Sequence, residues 1–492
     1  MSDAVSVLLS FPPEDAASLP PKKYDTAIKK YLDHLDKLPA NTYTKQHEKK
    51  GIFELLDPSV NSIAYLYALV SHIEAANKDS KRLEVLVHQA LVFFTVFDPV
   101  QARYVGEYWR SLWEWTRDSL RGQTTDFSPL AIGLLRLDPT AGTFTLMHLQ
   151  LVRACLEAGV PSQALSILDK NIYAIPSEIN KAVPDELLSE DVELSNGFIT
   201  IKSGFTPKLK SEVLLEYYLL GAMVYIGQRN WNRARLFLEL IMLTPSLQHA
   251  ASVFQIEAYK KWQIVGLLEE GRRYPLPRTH DAAVMKTLQV MSRAYEALVN
   301  AFEARNLRRY QAEMETGLDI WTEDGNLRLV KEAADALLRY RVIDLQKTYA
   351  ALPTSRVASH LGFSSEETLH VLTEMIRANH LNASITPSSS GDAVLRFHHT
   401  SPTSSSTIAQ DVALSAQTRR IEDLVAFVRD ADRRLQLTKE YAEWARRQKR
   451  SGPDADMADQ MDLTWSETAP PMMGVVGEGE GDEGDEDIMA AL

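Results

Sequence analysis

Near residue 380 the apolar period of this chain changes, and few folds accommodate such a change. Leu369, Leu372, Met375 and Ile376 share one face of a helix. Shortly afterwards Leu381, Ala383 and Ile385 alternate with Asn382, Ser384 and Thr386. After Pro387-Ser388-Ser389-Ser390-Gly391, the run Ala393, Leu395 and Phe397 alternates with Val394 and Arg396. A period of two on both sides of a turn predicts a hairpin with one buried face. Three helices are expected before it. Val342–Tyr349 is apolar at helical spacing. Pro353 ends it, because proline lacks a donor and clashes with the preceding turn. Thr354 or Ser355 suits the cap of a second helix through Val357, Ala358 and Leu361. Gly362 suits its left-handed end. Ser364-Ser365-Glu366-Glu367 then opens the third helix, with hydroxyl caps and carboxylates at the positive end of its dipole.

Helix, helix, helix and hairpin in this order make a winged-helix module. Its wing strand is expected to offer an open edge to a neighbour's sheet at Val394, Leu395 and Arg396. A nucleic-acid reader would carry cations on the third helix. This one sets Glu366, Glu367 and Glu374 against Arg377, so nucleic acid is not the expected partner.

The rest of the chain is mainly α. Residues 1 to about 50 hold one expected helix, Tyr24–Leu38. Ile52–Ala76, Lys81–Phe97, Pro99–Leu120, Thr143–Ala158 and Pro161–Lys170 follow as consecutive helices. Two stretches share a layout. Leu151–Ala158, Gly159 and Pro161–Leu168 place Ala164 where two helices would approach; Tyr217–Ile226, Gly227 and Trp231–Leu243 do the same with Ala234. A small residue after a glycine turn suits a tetratricopeptide-like hairpin, without a fixed period through the chain. Tyr173–Phe205 is broken by prolines and Asn196-Gly197, with a short strand expected at Phe198–Ile201. The expected division is therefore a helical-repeat domain over 1–205 and a second domain over 206–400, its helical part 206–341 and its winged helix 342–400. A Ser-rich linker leads to a long helix, Ile408–Arg450, within 401–450. Its stripe of Leu414, Ile421, Leu424, Val428, Ala431 and Leu435, interrupted by Gln417, suits a bundle seam.

The order of these pieces, with Leu215-Glu216-Tyr217-Tyr218-Leu219-Leu220 and Glu257-Ala258-Tyr259-Lys260-Lys261, resembles the PCI-domain family and within it a fungal-looking signalosome branch. The likeness covers about Lys208 to His399 well and the preceding part in style. It implies a scaffold subunit of a large complex, without cofactor. Its partners would be other PCI-domain subunits, met through the winged helix, and their C-terminal helices, gathered in a common bundle. In the signalosome such an assembly supports removal of the ubiquitin-like protein Nedd from cullin ligases by a different subunit. Proteasome-lid, translation-initiation and messenger-export subunits share the module.

Composition narrows this further. The formal charge is −13. Ser451–Leu492 holds twelve Asp or Glu and no Lys or Arg, so −13 less −12 leaves the first 450 residues near −1. The segment 451–492, with its acidic run Gly477–Asp487, cannot bury enough surface to repay chain entropy and is expected to be a disordered acidic tail. One cysteine, Cys155 among Leu151, Val152, Ala154 and Leu156, excludes an intramolecular disulfide framework and reads as a buried thiol. Val5–Phe11 is too short and lacks the basic flank of a secretory leader. No apolar run reaches membrane-span length. No H-x-H pair, phosphate loop, dinucleotide fingerprint or G-x-S-x-G is present, so no catalytic or metal residue is expected. Tyr104, Tyr108, Trp109, Leu112, Trp113 and Trp115 fill one broad helix face and read as packing. Arg433-Arg434 and Arg446-Arg447-Gln448-Lys449-Arg450 are spaced like a bipartite nuclear signal, and equally like the solvated basic end of a helix. The expected location is cytoplasm and nucleus.

Overall fold

Shared helices join three hydrophobic cores. The structure is a computed structural model and describes residues 2–13, 19–39, 41–44, 51–76, 80–122, 126–176, 188–189, 195–245, 250–378, 380–387, 392–398, 407–436, 441 and 444. It has two units, Met1–Phe397 and His398–Leu492. The first core runs from Leu8 to Leu288 without a break at residue 205. The expected boundary there divides the sequence pattern and not the packing, because Leu149 and Phe237 belong to the same core. The second core takes Ile264 to Leu337, and the third Val342 to Phe397.

Helix Val253–Glu269 belongs to two cores at once. Tyr259, Trp262 and Val265 enter the first, Ile264, Leu267 and Leu268 the second. Its apolar residues lie on opposite sides, so each side needs a core of its own. Glu257-Ala258-Tyr259-Lys260-Lys261 also ties it to its neighbours. Tyr259 Oη donates to Glu296 (2.6 Å), and Lys260 Nζ reaches Asp324 (2.7 Å) and Glu257 (2.9 Å). Helix Leu327–Gln346 repeats the arrangement, giving Val330, Ala333, Ala336 and Leu337 to the second core and Val342 to the third. The expected separate helix at 342–349 is thus the end of a longer one, which runs through residue 341 while the packing passes there from the second core to the third.

Four helix–helix turns among the described residues share one geometry. Each has a left-handed residue: Gly159 (φ 74°), Arg229 (φ 59°), Arg305 (φ 55°) and Gly325 (φ 67°). The following N–H donates to the carbonyl five residues back, to Cys155, Tyr225, Ala301 and Trp321 respectively, at 2.9–3.1 Å. The left-handed residue's own N–H donates to Leu156, Ile226, Phe302 and Thr322. This pair of bonds satisfies carbonyls that a helix end otherwise leaves open. Gly227 lies inside helix Ser211–Gly227, and Arg229 takes the turn position expected of glycine. A non-glycine residue there costs about 1 kcal/mol or more. Ala164 and Ala234 are fully buried, as the hairpin reading requires.

Other expectations shift at their ends. Ile52–Ala76 is two helices, Ile52–Leu55 and Ser62–Ala75, parted around Asp57-Pro58. Pro99–Leu120 is also two, Pro99–Ala102 and Gly106–Leu120. Phe198–Ile201 is not a strand: a 3₁₀ turn at Ser195–Gly197 leads into a bent segment with Phe198 and Ile199 buried. Helix Ser128–Leu137 has no counterpart in the sequence reading.

Candidate assembly surfaces

The third core is the winged helix. Helix Thr354–Leu361 ends at Gly362 in the left-handed conformation (φ 80°), as expected. Helix Ser365–Arg377 begins with a capping box, in which Ser364 Oγ accepts from the Glu367 N–H and Glu367 accepts from the Ser364 N–H. It buries Thr368, Leu372 and Met375. Thr354 and Ser355 do not cap the preceding helix. Pro353 is its N-cap, and both hydroxyls donate to Asp392 (2.8 and 2.6 Å), which fastens this helix to the wing.

The sheet overturns the expected edge. Strands β1 (Ala351–Pro353), β2 (Ala383–Pro387) and β3 (Ala393–Phe397) lie in the order β1-β3-β2, both pairs antiparallel. Val394, Leu395 and Arg396 therefore sit on the central strand. Arg396 faces Ala351 on one side and Ser384 on the other, Leu395 faces Leu352 and Ile385, and Val394 faces Pro353 and Thr386. The missed strand β1 closes the side that the sequence left open.

The free edges follow from strand alternation. The Phe397 N–H donates to the Ala350 carbonyl, on the β1 side. Successive residues of a strand point their backbone groups to opposite sides. Leu395 thus bonds towards β1, while Val394 and Arg396 bond towards β2. Ser384 and Thr386, opposite Arg396 and Val394, bond inward. Ala383 and Ile385 turn their N–H and C=O outward. On β1 the outward residues are Ala351 and Pro353, and Pro353 has no donor. No strand among the described residues pairs with the outer side of β2. The β2 edge, with two outward donors, is the better template for a neighbour's strand.

The second unit holds helix Thr407–Gln436. Leu414, Ile421, Val428 and Leu435 recur every seventh residue, with Leu424 between them. All five side chains are exposed, from 53% at Leu435 to 63% at Leu414. Val425 and Phe427, exposed as well, widen the stripe beyond the sequence reading. A seven-residue repeat sustained along one helix is the pattern of a left-handed coiled coil or bundle. Arg433 is exposed near the end of this helix, and Arg434 follows it there. Arg446, Arg447, Lys449 and Arg450 lie outside the described residues, as do the whole linker Thr400–Ser406 and the acidic segment Ser451–Leu492.

Of the remaining candidates, Leu112 is buried, Tyr104 and Trp115 are half-buried, and Tyr108 is exposed with its ring against Tyr67. Trp109 and Trp113 are fully buried, Trp109 against Phe94, Phe97 and Phe205. Burial pushes the Cys155 thiol up to about 12, which leaves it protonated and a poor nucleophile. His148 is buried and its pKa falls to about 4, by desolvation of the charged form. It serves as the third residue of a capping box with Thr145. No group of His, Cys, Asp or Glu among the described residues could hold a metal ion. No described helix is long and apolar enough to cross a membrane.

A stack of helical hairpins, a winged helix and a long helix with an exposed apolar stripe define the class of PCI-type subunits. Comparison with known proteins is more specific. Residues 25–284 match the family model for the N-terminal helical repeats of COP9 signalosome complex subunit 3. That span nearly coincides with the first core and crosses residue 205, so the repeat domain extends past the expected boundary. The chain is 30% identical over 418 residues to COP9 signalosome complex subunit 3 of Emericella nidulans, covering 81% of this chain and 83% of that one. It is 25% identical over 363 residues to the Neurospora crassa protein of the same name, covering 73% and 72%. The chain belongs to the COP9 signalosome complex subunit 3 family.

Proposed function

We propose that this chain is a non-catalytic scaffold subunit of the signalosome, joined to other PCI-domain subunits through the outer edge of β2 and to their C-terminal helices through Thr407–Gln436. Its assembled state supports removal of Nedd from cullin-RING ligases by another subunit. One observation carries the reading: in a chain of this family, five large aliphatic side chains stand exposed on one helix stripe. Each is worth roughly 1.5–3 kcal/mol when buried, so a partner helix gains much by covering them. The same reading assigns no cofactor, no metal and no nucleic acid to the chain, and places it in cytoplasm and nucleus, with the Arg433-Arg434 and Arg446–Arg450 clusters as the import signal.

The test is affinity purification of the tagged full chain from a fungal host, with identification of what co-purifies. Signalosome subunits are expected in stoichiometric yield. Recovery of proteasome-lid or translation-initiation subunits instead would overturn the assignment. Micromolar binding of duplex DNA at physiological salt, weakened by Arg377→Glu, would overturn the protein-only reading of the winged helix.

A further inference from the structure

The two left-handed arginines reach the same helix. Arg229 Nη2 donates to Glu332 Oε2 (2.6 Å) and Nη1 to the Ile226 carbonyl (3.0 Å), with the guanidinium over the Trp231 ring. Arg305 Nε donates to Asp344 Oδ2 (2.7 Å), and its Nη1 donates to the carbonyls of Gly271 (2.8 Å) and Phe302 (3.3 Å). Its guanidinium also lies against the rings of Phe302 and Tyr340. Tyr340 in turn donates to the Glu269 carbonyl (2.7 Å). Glu332 and Asp344 both lie on helix Leu327–Gln346, about 18 Å apart along it at 1.5 Å per residue. That helix ends in the winged-helix core, through Val342.

We propose that Arg229 and Arg305 are positioning residues for assembly: two helix–helix turns, one from the first core and one from the second, grip one helix near both ends and set the angle at which it presents the winged helix. This rests on the scaffold reading above. Glycine would satisfy the backbone at both turns, as it does at Gly159 and Gly325. Arginine there adds strain to the backbone and gains only what its side chain does. In both cases the side chain spans to the same helix. An orientation shared with neighbouring subunits must be held closely, because a strand edge pairs only in register and direction.

The test uses the full chain carrying Arg229→Gly and Arg305→Gly together. Glycine relieves the left-handed turns, so helix content and melting temperature are expected to match the parent. Incorporation into the complex is expected to fall at least tenfold. A second double variant, Glu332→Gln with Asp344→Asn, releases the grip from the helix side and should show the same loss. Spin labels at Asn232→Cys and Arg356→Cys, on helices Trp231–Met242 and Thr354–Leu361, should give a narrow distance distribution in the parent and a broad one in either variant. Normal incorporation or an unchanged distribution overturns the proposal, and so does loss of helix content in both variants, which would make the arginines merely structural. Ile385→Pro, run alongside, separates the two ideas. If it blocks incorporation while the arginine variants do not, the scaffold reading stands and the grip fails. If none of the variants affects incorporation, assembly through the winged helix falls as well.

Discussion

Protonation of the buried His148 opposes this fold. Desolvation holds its folded pKa at about 4, below the ordinary 6.5. Between those values the unfolded chain binds the proton and the folded chain does not. Stability is therefore full above pH 6.5 and declines as pH falls towards 4, by about 3 kcal/mol at 1.36 kcal/mol per unit. His148→Gln keeps an acceptor at the third helical position, where glutamine is the usual capping-box partner, and removes the titration. The melting temperature of this variant is expected to vary less between pH 6.5 and 4 than that of the parent; an unchanged acid limb would place the sensitivity elsewhere. Single residues were legible where side-chain chemistry enforces the conformation. Gly362 and the hydroxyl cap at Ser364 stand where the sequence placed them, and the structure adds the return bond from Glu367 that makes the cap a capping box. Arg229 and Arg305 were not legible, because only tertiary contacts reveal why a charged residue occupies a left-handed turn.

At the scale of elements, the wing hairpin was legible from its period and the strand facing it was not. Strand β1 has three residues and ends in proline, too little for any alternation to register. Its omission moved the expected edge from β2 to the central strand. Helix Ser128–Leu137 was missed for a related reason: Gly133 in mid-helix argues against a helix by propensity, whereas here a Cβ would come within 3.1 Å of Phe94. The edge assignment makes a direct prediction. Leu395→Pro or Arg396→Pro should weaken the winged helix itself, since both residues donate within the sheet. Ile385→Pro removes an outward donor and should leave the isolated chain helical while reducing incorporation, with Ile385→Ala as the control for lost packing. Equal losses of helicity from all three prolines would show that β2 has no free side. For the long helix, Leu424→Asp puts a carboxylate into the stripe. The isolated chain should keep its circular dichroism and melting temperature and lose incorporation, while Glu422→Ala changes neither. Unfolding by Leu424→Asp would mean that the stripe packs on its own chain.

For the molecule as a whole, charge and fold are separable. The three cores are built from residues between Leu8 and Phe397, whereas twelve carboxylates stand between Ser451 and Leu492 with no compensating base. Hydrophobic burial dominates stability, and the large apolar side chains of that segment, Leu463, Trp465, Met472 and Val475, are scattered without the period of a core-facing stripe. Net charge acts instead on solubility and on the pace of association. Deleting Ser451–Leu492 should therefore leave the melting temperature within experimental error and bring the formal charge from −13 to −1 by the count above. The isoelectric point should rise from about 5.5 towards neutrality, and the truncated chain should precipitate more readily near pH 7, where little net charge remains to keep copies apart. Calorimetry and isoelectric focusing of the full and truncated chains check both halves. A clear drop in melting temperature would mean that the segment docks on a core, and Trp465, its largest apolar side chain, would be the first position to replace.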